Sequence, residues 1–180
     1  FVGPTPAQVR DFGLKHVARK LAAAQGVPLL PGTGLLPDVA AARAEAARIG
    51  YPVMLKSTAG GGGIGMRRCA TEAELDAAYE AVERVSRASF KQGGLYLEKL
   101  VERARHVEVQ IFGDRHGRVV HLGERECSIQ RRHQKLVEET PSPAVDDALR
   151  ARIGAIAVDA AKAAGYRSAG TIGSLLFREG

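Results

Sequence analysis

The run Lys56-Ser-Thr-Ala-Gly-Gly-Gly-Gly-Ile-Gly-Met66 constrains this chain more than any other stretch. It follows the apolar segment Tyr51-Pro-Val-Met-Leu55, which reads as a short buried strand, and leads into a second strand at Arg67-Arg68-Cys69. Gly60, Gly61, Gly62, Gly63 and Gly65 leave a loop almost without side chains. Such a loop tolerates positive φ and lets bare backbone N–H groups approach an anion. Lys56 ends the incoming strand and adds a positive charge, so phosphate is the anion that fits best. A flexible surface hairpin is the alternative that glycine richness alone leaves open.

Two common phosphate loops are excluded. No Gly-Lys-Ser/Thr ending follows the glycines, and they open no amphipathic helix, because the next helix signal begins only at Thr71. A dinucleotide-binding turn needs strand, glycines and helix in immediate succession. A strand–loop–strand flap over phosphates remains.

The 180 residues, 45% hydrophobic, can bury a core in one domain or two small ones. A net charge of +6 suits nucleic acid or small anionic substrates, but aromatics are only 5% and tryptophan is absent, so a base-stacking surface is poorly supplied. Nucleic acid and membrane are therefore not expected partners. Cys69 and Cys127 lie far apart without metal-ligand spacing, which fits a reducing cytoplasm. No run approaches the length of a membrane span. With no initiator methionine, the chain reads as part of something longer.

In order, Phe1–Pro4 reads as a strand tail entering a turn, and Thr5 and Pro6 open a helix to Ala24, with Gly13 a break and Gly26 a C-cap. Lys15 lies near its middle, where a lone lysine is by default solvated. Val27 to Gly34 reads as a strand and turn, and Asp38 caps a helix over Val39–Ile49 that ends at Gly50. Thr71 and Glu74 form a capping box for a helix to about Ser86, Ser89–Gly94 is a connection, and Leu95–Leu97 is a strand. This β–α–β–β–α–β order makes a small α+β lobe. In His106–Phe112, Val107, Val109 and Ile111 share one face while His106, Glu108 and Gln110 share the other, by default solvated. Gly113–Gly117 turns the chain into a partner strand over Arg118–Arg125, and Asp146–Ala164 is a helix before a strand beginning at Ala169. Basic groups flank the hairpin at Arg105-His106 and Arg131-Arg132-His133-Gln134-Lys135. Charge that builds up on oxygen during phosphoryl transfer needs such cations. Spacing and charge together indicate nucleotide-phosphate binding beside an anionic second substrate.

The blocks Phe1-Val-Gly-Pro4, Tyr51–Lys56 with its glycine loop, Glu98-Lys-Leu-Val-Glu102, Arg105-His-Val-Glu-Val-Gln110, Glu124-Arg-Glu-Cys-Ser128, Gln130–Lys135 and Glu138-Glu-Thr-Pro141 resemble, in order, the biotin carboxylase family of ATP-grasp enzymes. Phe12–His16 and Met54–Ala59 most resemble its urea carboxylase branch. The resemblance implies an α+β ATP-grasp fold: residues 1–26 a helical linker, 27–100 a lid subdomain, and 101–180 the first part of the larger subdomain. It implies that Lys15 and Lys56 contact ATP phosphates, with Lys56 also near the adenine, that Gly60–Gly65 cover the phosphates, and that Met66 packs on the base. Glu98, Lys99 and Val101 fall at the adenine hinge; His106, Gln130 and His133 at nucleotide-contacting positions; and Lys135 at the bicarbonate and transferring phosphoryl group. His106, His133 and Lys135 are thus the expected catalytic residues. ATP, magnesium and carrier-bound biotin are the implied cofactors. Bicarbonate and the carrier and carboxyltransferase domains are the implied partners, and homo-oligomerisation is compatible with them. Cys127 falls in a family motif but reads as a small buried thiol. One departure stands out: where the family places a magnesium-binding glutamate after Ala-Gly-Thr, this chain has Gly173, with Ser174 beside it and Glu179 too late to substitute.

Overall fold

The computed structural model describes residues 2–58, 65–89 and 94–177. It divides into two compact units, one of Gly13–Lys20 with Pro28–Val101 and one of Phe1–Phe12, Leu21–Val27 and Glu102–Gly180.

The 28–101 unit is built on an antiparallel three-stranded sheet with β1 (Val53–Ser57) between β2 (Met66–Cys69) and β3 (Leu95–Lys99). Alternation along β1 buries Val53, Leu55 and Ser57 and leaves Met54 and Lys56 on the opposite face. The buried face packs with helices α3 (Val39–Ile49) and α4 (Glu72–Ser89) through Ala42, Ala46, Leu75 and Val82. Asp38 Oδ1 accepts the Ala41 N–H at 2.8 Å, and Gly50, at φ 83°, closes α3 by donating to the Ala46 carbonyl at 2.9 Å. Thr71 Oγ1 accepts from the Glu74 N–H as expected, but Glu74 reaches back to Ala70 N–H rather than to the cap residue.

Three expectations shift here. The Val27–Gly34 stretch forms no named strand; it runs along β3 through an isolated bridge between Gly32 and Glu98 and through single bonds such as Lys99 N–H to Pro31 O at 2.8 Å. Pro28 and Pro31 have no N–H to give to a ladder. β1 begins at Val53 and not at Tyr51, and α4 runs on to Ser89.

The other unit centres on β4 (Arg105–Gly113), flanked antiparallel by β5 (Val119–Glu126) and β8 (Ser168–Leu176). Val109 and Ile111 pack with Ala157 and Ala161 of α5 (Asp147–Ala163), which Asp146 caps. Asp114 Oδ1 accepts the N–H groups of His116 and Arg118 and so shapes the β4–β5 turn. Helix α1 (Pro6–Gly13) is tied to this unit by Gln8 Nε2 donating to Gly165 O at 2.6 Å and by an edge-on contact of Phe12 with Tyr166. It ends at Gly13, where the sequence marks a break, and α2 (Lys15–Ala24) follows. Phe1 lies outside the described residues, and Val2–Pro4 form no strand.

The Gln130–Lys135 block folds as a small hairpin of β6 (Gln130–Arg131) and β7 (Gln134–Lys135), with Arg132 and His133 as its two-residue loop. Both loop residues hold positive φ, 51° and 64°, the signature of a type I′ turn that favours Asn-Gly. Left-handed backbone costs a residue with a Cβ about 1–2 kcal/mol. The double substitution Arg132→Asn/His133→Gly is therefore expected to stabilise the unit by about 1 kcal/mol, allowing for glycine's extra unfolded-state entropy, read as a shift in urea midpoint.

Candidate nucleotide and anion site

The 28–101 unit gathers cations around one carboxylate. Glu98, on the same sheet face as Lys56, accepts from Lys56 Nζ through Oε2 and from Arg19 Nη1 through Oε1. The Glu98 side chain is 14% exposed. Lys15, on the first turn of α2, lies close enough to feel both Lys56 and Glu98; burial and the Lys56 ammonium push its pKa below the usual lysine value. Gly65, at φ 73°, accepts the Ser57 N–H at 2.8 Å, and a Cβ there would stand 3.0 Å from the Ser57 Cβ. Glycine is what lets the loop's return end lie against the end of β1. Met66 pairs with Lys56 across β1–β2 and is half-buried. Lys99 Nζ donates to the Gly50 and Tyr51 carbonyls, and Val101 follows half-buried after β3. Gly60, Gly61, Gly62 and Gly63 lie outside the described residues.

The other unit repeats the theme. Glu108 points to the face away from α5, where the alternation of β4 leads one to expect solvent, yet it is only 3% exposed. It is buried because two cations converge on it: Arg125 from β5 on Oε1 and Lys135 from the β6–β7 hairpin on Oε2. Arg125 also binds Glu138 at 2.8 Å. Gln130 Nε2 donates to the Cys127 carbonyl at 2.8 Å and to His106 Nδ1 at 3.0 Å, which leaves the proton of the neutral His106 ring on Nε2. His106 is further held by Ser128 Oγ, which accepts its backbone N–H at 2.8 Å and donates to Glu126. His133 stands exposed on the hairpin loop and Lys135 on its return strand. Cys127 is fully buried, and burial raises its thiol pKa, as suits a packing residue.

Magnesium does not fit the described residues. Gly173, opposite Glu108 on β8, has no side chain, and a Cβ there would come within 3.3 Å of His106 Nε2. A grouping of Glu108, Cys127 and Glu138 lies within 4.8 Å, but its carboxylates already serve Arg125 and Lys135, and a thiol is a poor ligand for a hard cation.

These anchors make the unit sensitive to acid. Burial pushes the Glu108 carboxyl up, but Lys135 and Arg125 outweigh it and hold it below the ordinary 4.5. Burial likewise opposes, and bonds from Arg150 and Ser142 to Glu124 and from Ser128 and Ser142 to Glu126 outweigh, so both also sit below 4.5. A carboxyl whose folded pKa is depressed stabilises above its unfolded value, and the gain is lost as pH falls through the folded one. The urea midpoint is thus expected to hold from pH 7 to about 5 and to drop steeply below 4.5.

Among curated proteins, the chain is 54% identical over 173 residues to biotin carboxylase 2 of Bacillus subtilis, covering 96% of this chain and 39% of that protein. It is 45% identical over 172 residues to urea amidolyase of Lachancea kluyveri, covering 96% and 9%. The structure of a Campylobacter jejuni biotin carboxylase–βγ-ATP complex superposes with a TM-score of 0.94 at 45% identity, over 98% of this chain and 40% of that one. The biotin carboxylase domain dimer of Hydrogenobacter thermophilus 2-oxoglutarate carboxylase, with MgADP, ADP and bicarbonate, superposes at 0.93 and 45%, over 97% and 39%. The chain thus spans about two-fifths of the Bacillus enzyme it matches. The α+β ATP-grasp fold implied by the sequence blocks is the fold of these structures. Residues 15–179 match the model for the carbamoyl-phosphate synthase L chain, ATP binding domain, and the chain belongs to that family.

Proposed function

We propose that this chain is the ATP-binding segment of a biotin-dependent carboxylase that activates bicarbonate as carboxyphosphate and carboxylates carrier-bound biotin. The observation that carries the proposal is Lys56 bound to Glu98 at the foot of the glycine loop, with the backbone N–H of Lys15 donating to the Thr58 carbonyl at 3.2 Å beside it. The lysine ammoniums bind ATP phosphates, and the loop's backbone N–H groups cover them. Residues 27–100 act as the lid, 101–180 as part of the larger subdomain, and 1–26 as the linker into them. His106 and Gln130, locked together, and His133 face the nucleotide, while Lys135 receives bicarbonate and the transferring phosphoryl group. Bicarbonate attacks the γ-phosphorus, ADP leaves, and carboxyphosphate yields CO₂ and phosphate. The site of action is the cytoplasm; no helix among the described residues is long and apolar enough to cross a membrane.

For the carboxyl acceptor we favour urea, on the Phe12–His16 and Met54–Ala59 blocks and the 45% identity to urea amidolyase. The 49% identity over 173 residues to the methylcrotonoyl-CoA carboxylase alpha subunit of Glycine max supports an acyl-CoA acceptor as the competing choice.

Gly173 favours a second reading of the same site, nucleotide binding without efficient turnover. Phosphate release from ATP, measured with and without bicarbonate, tests both. The expected result is saturable ATP binding with bicarbonate-dependent release far below that of an intact biotin carboxylase. Release at the intact enzyme's rate would refute the part assigned to Gly173, and absence of ATP binding would refute the nucleotide assignment itself.

A further inference from the structure

The geometry points to Arg19 as a positioning residue for the phosphate-binding lysines, acting through Glu98; this rests on the nucleotide reading above. Arg19 stands one helical turn beyond Lys15 on α2, so the two side chains leave the same face of the helix. Its guanidinium forks: Nη1 donates to Glu98 Oε1, and Nη2 donates to the Leu30 carbonyl at 2.9 Å. The side chain is 19% exposed, and Gly32 makes room for it, since a Cβ at that glycine would lie 2.6 Å from Nη2. The fork is therefore built in from three sides, by α2, by the extended segment at Leu30 and by β3.

Charge explains what the fork does. Glu98 divides its oxygens, Oε1 to Arg19 and Oε2 to Lys56. A carboxylate held by Lys56 alone would keep that ammonium as its counterion and oppose an incoming polyphosphate. Arg19, always charged, neutralises Glu98 in place, so Lys56 is aimed by the carboxylate without being consumed by it. When phosphate arrives, Lys56 shifts its hydrogen bonds to the ligand, and Glu98 keeps a partner. Lys15, close to both, gains from the same neutralisation.

The test is equilibrium binding of a fluorescent ATP analogue, displaced by ATP, to the wild-type protein, Arg19→Gln, Arg19→Lys and Arg19→Gln/Glu98→Gln, with melting temperatures as a folding control. Loss of a charge-assisted partner predicts about tenfold weaker ATP binding for Arg19→Gln. Arg19→Lys, which keeps the charge but not the fork, should stay within about threefold of wild type, and the double variant should recover part of the loss of Arg19→Gln, because no uncompensated carboxylate then competes for Lys56 while the aim it gave is also gone. Rescue by Glu98→Gln is what a merely structural arginine would not show. Wild-type-like binding by Arg19→Gln, or a double variant as weak as the single, overturns the inference while leaving the nucleotide reading intact. If Arg19→Gln fails to fold, a tenfold loss in Arg19→Lys overturns it instead. Failure of the wild-type protein to bind ATP overturns both.

Discussion

Glu108→Ala is expected to lower the stability of its unit by about 2–4 kcal/mol, the largest loss foreseen for one side chain in the anion site. Removing one member of a buried ion cluster leaves the others without compensation, a cost of about 3–5 kcal/mol when all are fully buried. Arg125 and Lys135 are 35% and 30% exposed, so water recovers part of that cost. Arg125 also keeps Glu138, whereas no second carboxylate partner for Lys135 is recorded among the described residues. The hairpin bearing Lys135 should therefore loosen first. Urea unfolding followed at two probes, one in each unit, checks this: the transition of the 102–180 region moves and that of the 28–101 unit does not. Coincident shifts of equal size would contradict the division of roles.

Lys56→Ala is expected to weaken ATP binding by about ten- to hundredfold, equivalent to the about 1.5–3 kcal/mol of a hydrogen bond to a charged group. The fold should survive, because Val53, Leu55 and Ser57 make the packing of β1 and Glu98 retains Arg19. The same substitution should weaken binding of adenosine far less than that of ATP, because adenosine offers no phosphate to the ammonium. Displacement of a fluorescent nucleotide by ATP and by adenosine separates the two.

Local rules account for what was legible in the residues alone. Asp38 and Gly50 bracket α3 where side-chain capping and a positive φ demand, and Gly13 divides the first helices. The alternation of Val107, Val109 and Ile111 places the core face of β4. Ordered sequence blocks carried the family and the ATP-grasp fold. What escaped depends on partners distant in sequence. Glu108 reads as a solvated residue on a polar face until Arg125, 17 positions on, and Lys135, 27 positions on, arrive to bury it. Arg19 reads as one more helical cation, and only the fold delivers Glu98 to it from 79 positions away. The β6–β7 hairpin hides because Arg132 and His133 occupy a turn usually announced by Asn-Gly. The segment at Val27–Gly34 has a strand's neighbours but, with two prolines, lacks a strand's donors.

Calorimetric titration of the wild-type protein with ATP, with and without magnesium, tests the central claim most directly. In the proposed function Lys15, Lys56 and the glycine loop take the phosphates, whereas Gly173 has no carboxylate to offer a metal. The predicted result is saturable binding of ATP that magnesium improves little. Absence of binding in either condition would contradict the assignment of this site to nucleotide phosphate, and binding that appears only with magnesium would contradict the part given to the protein's own cations.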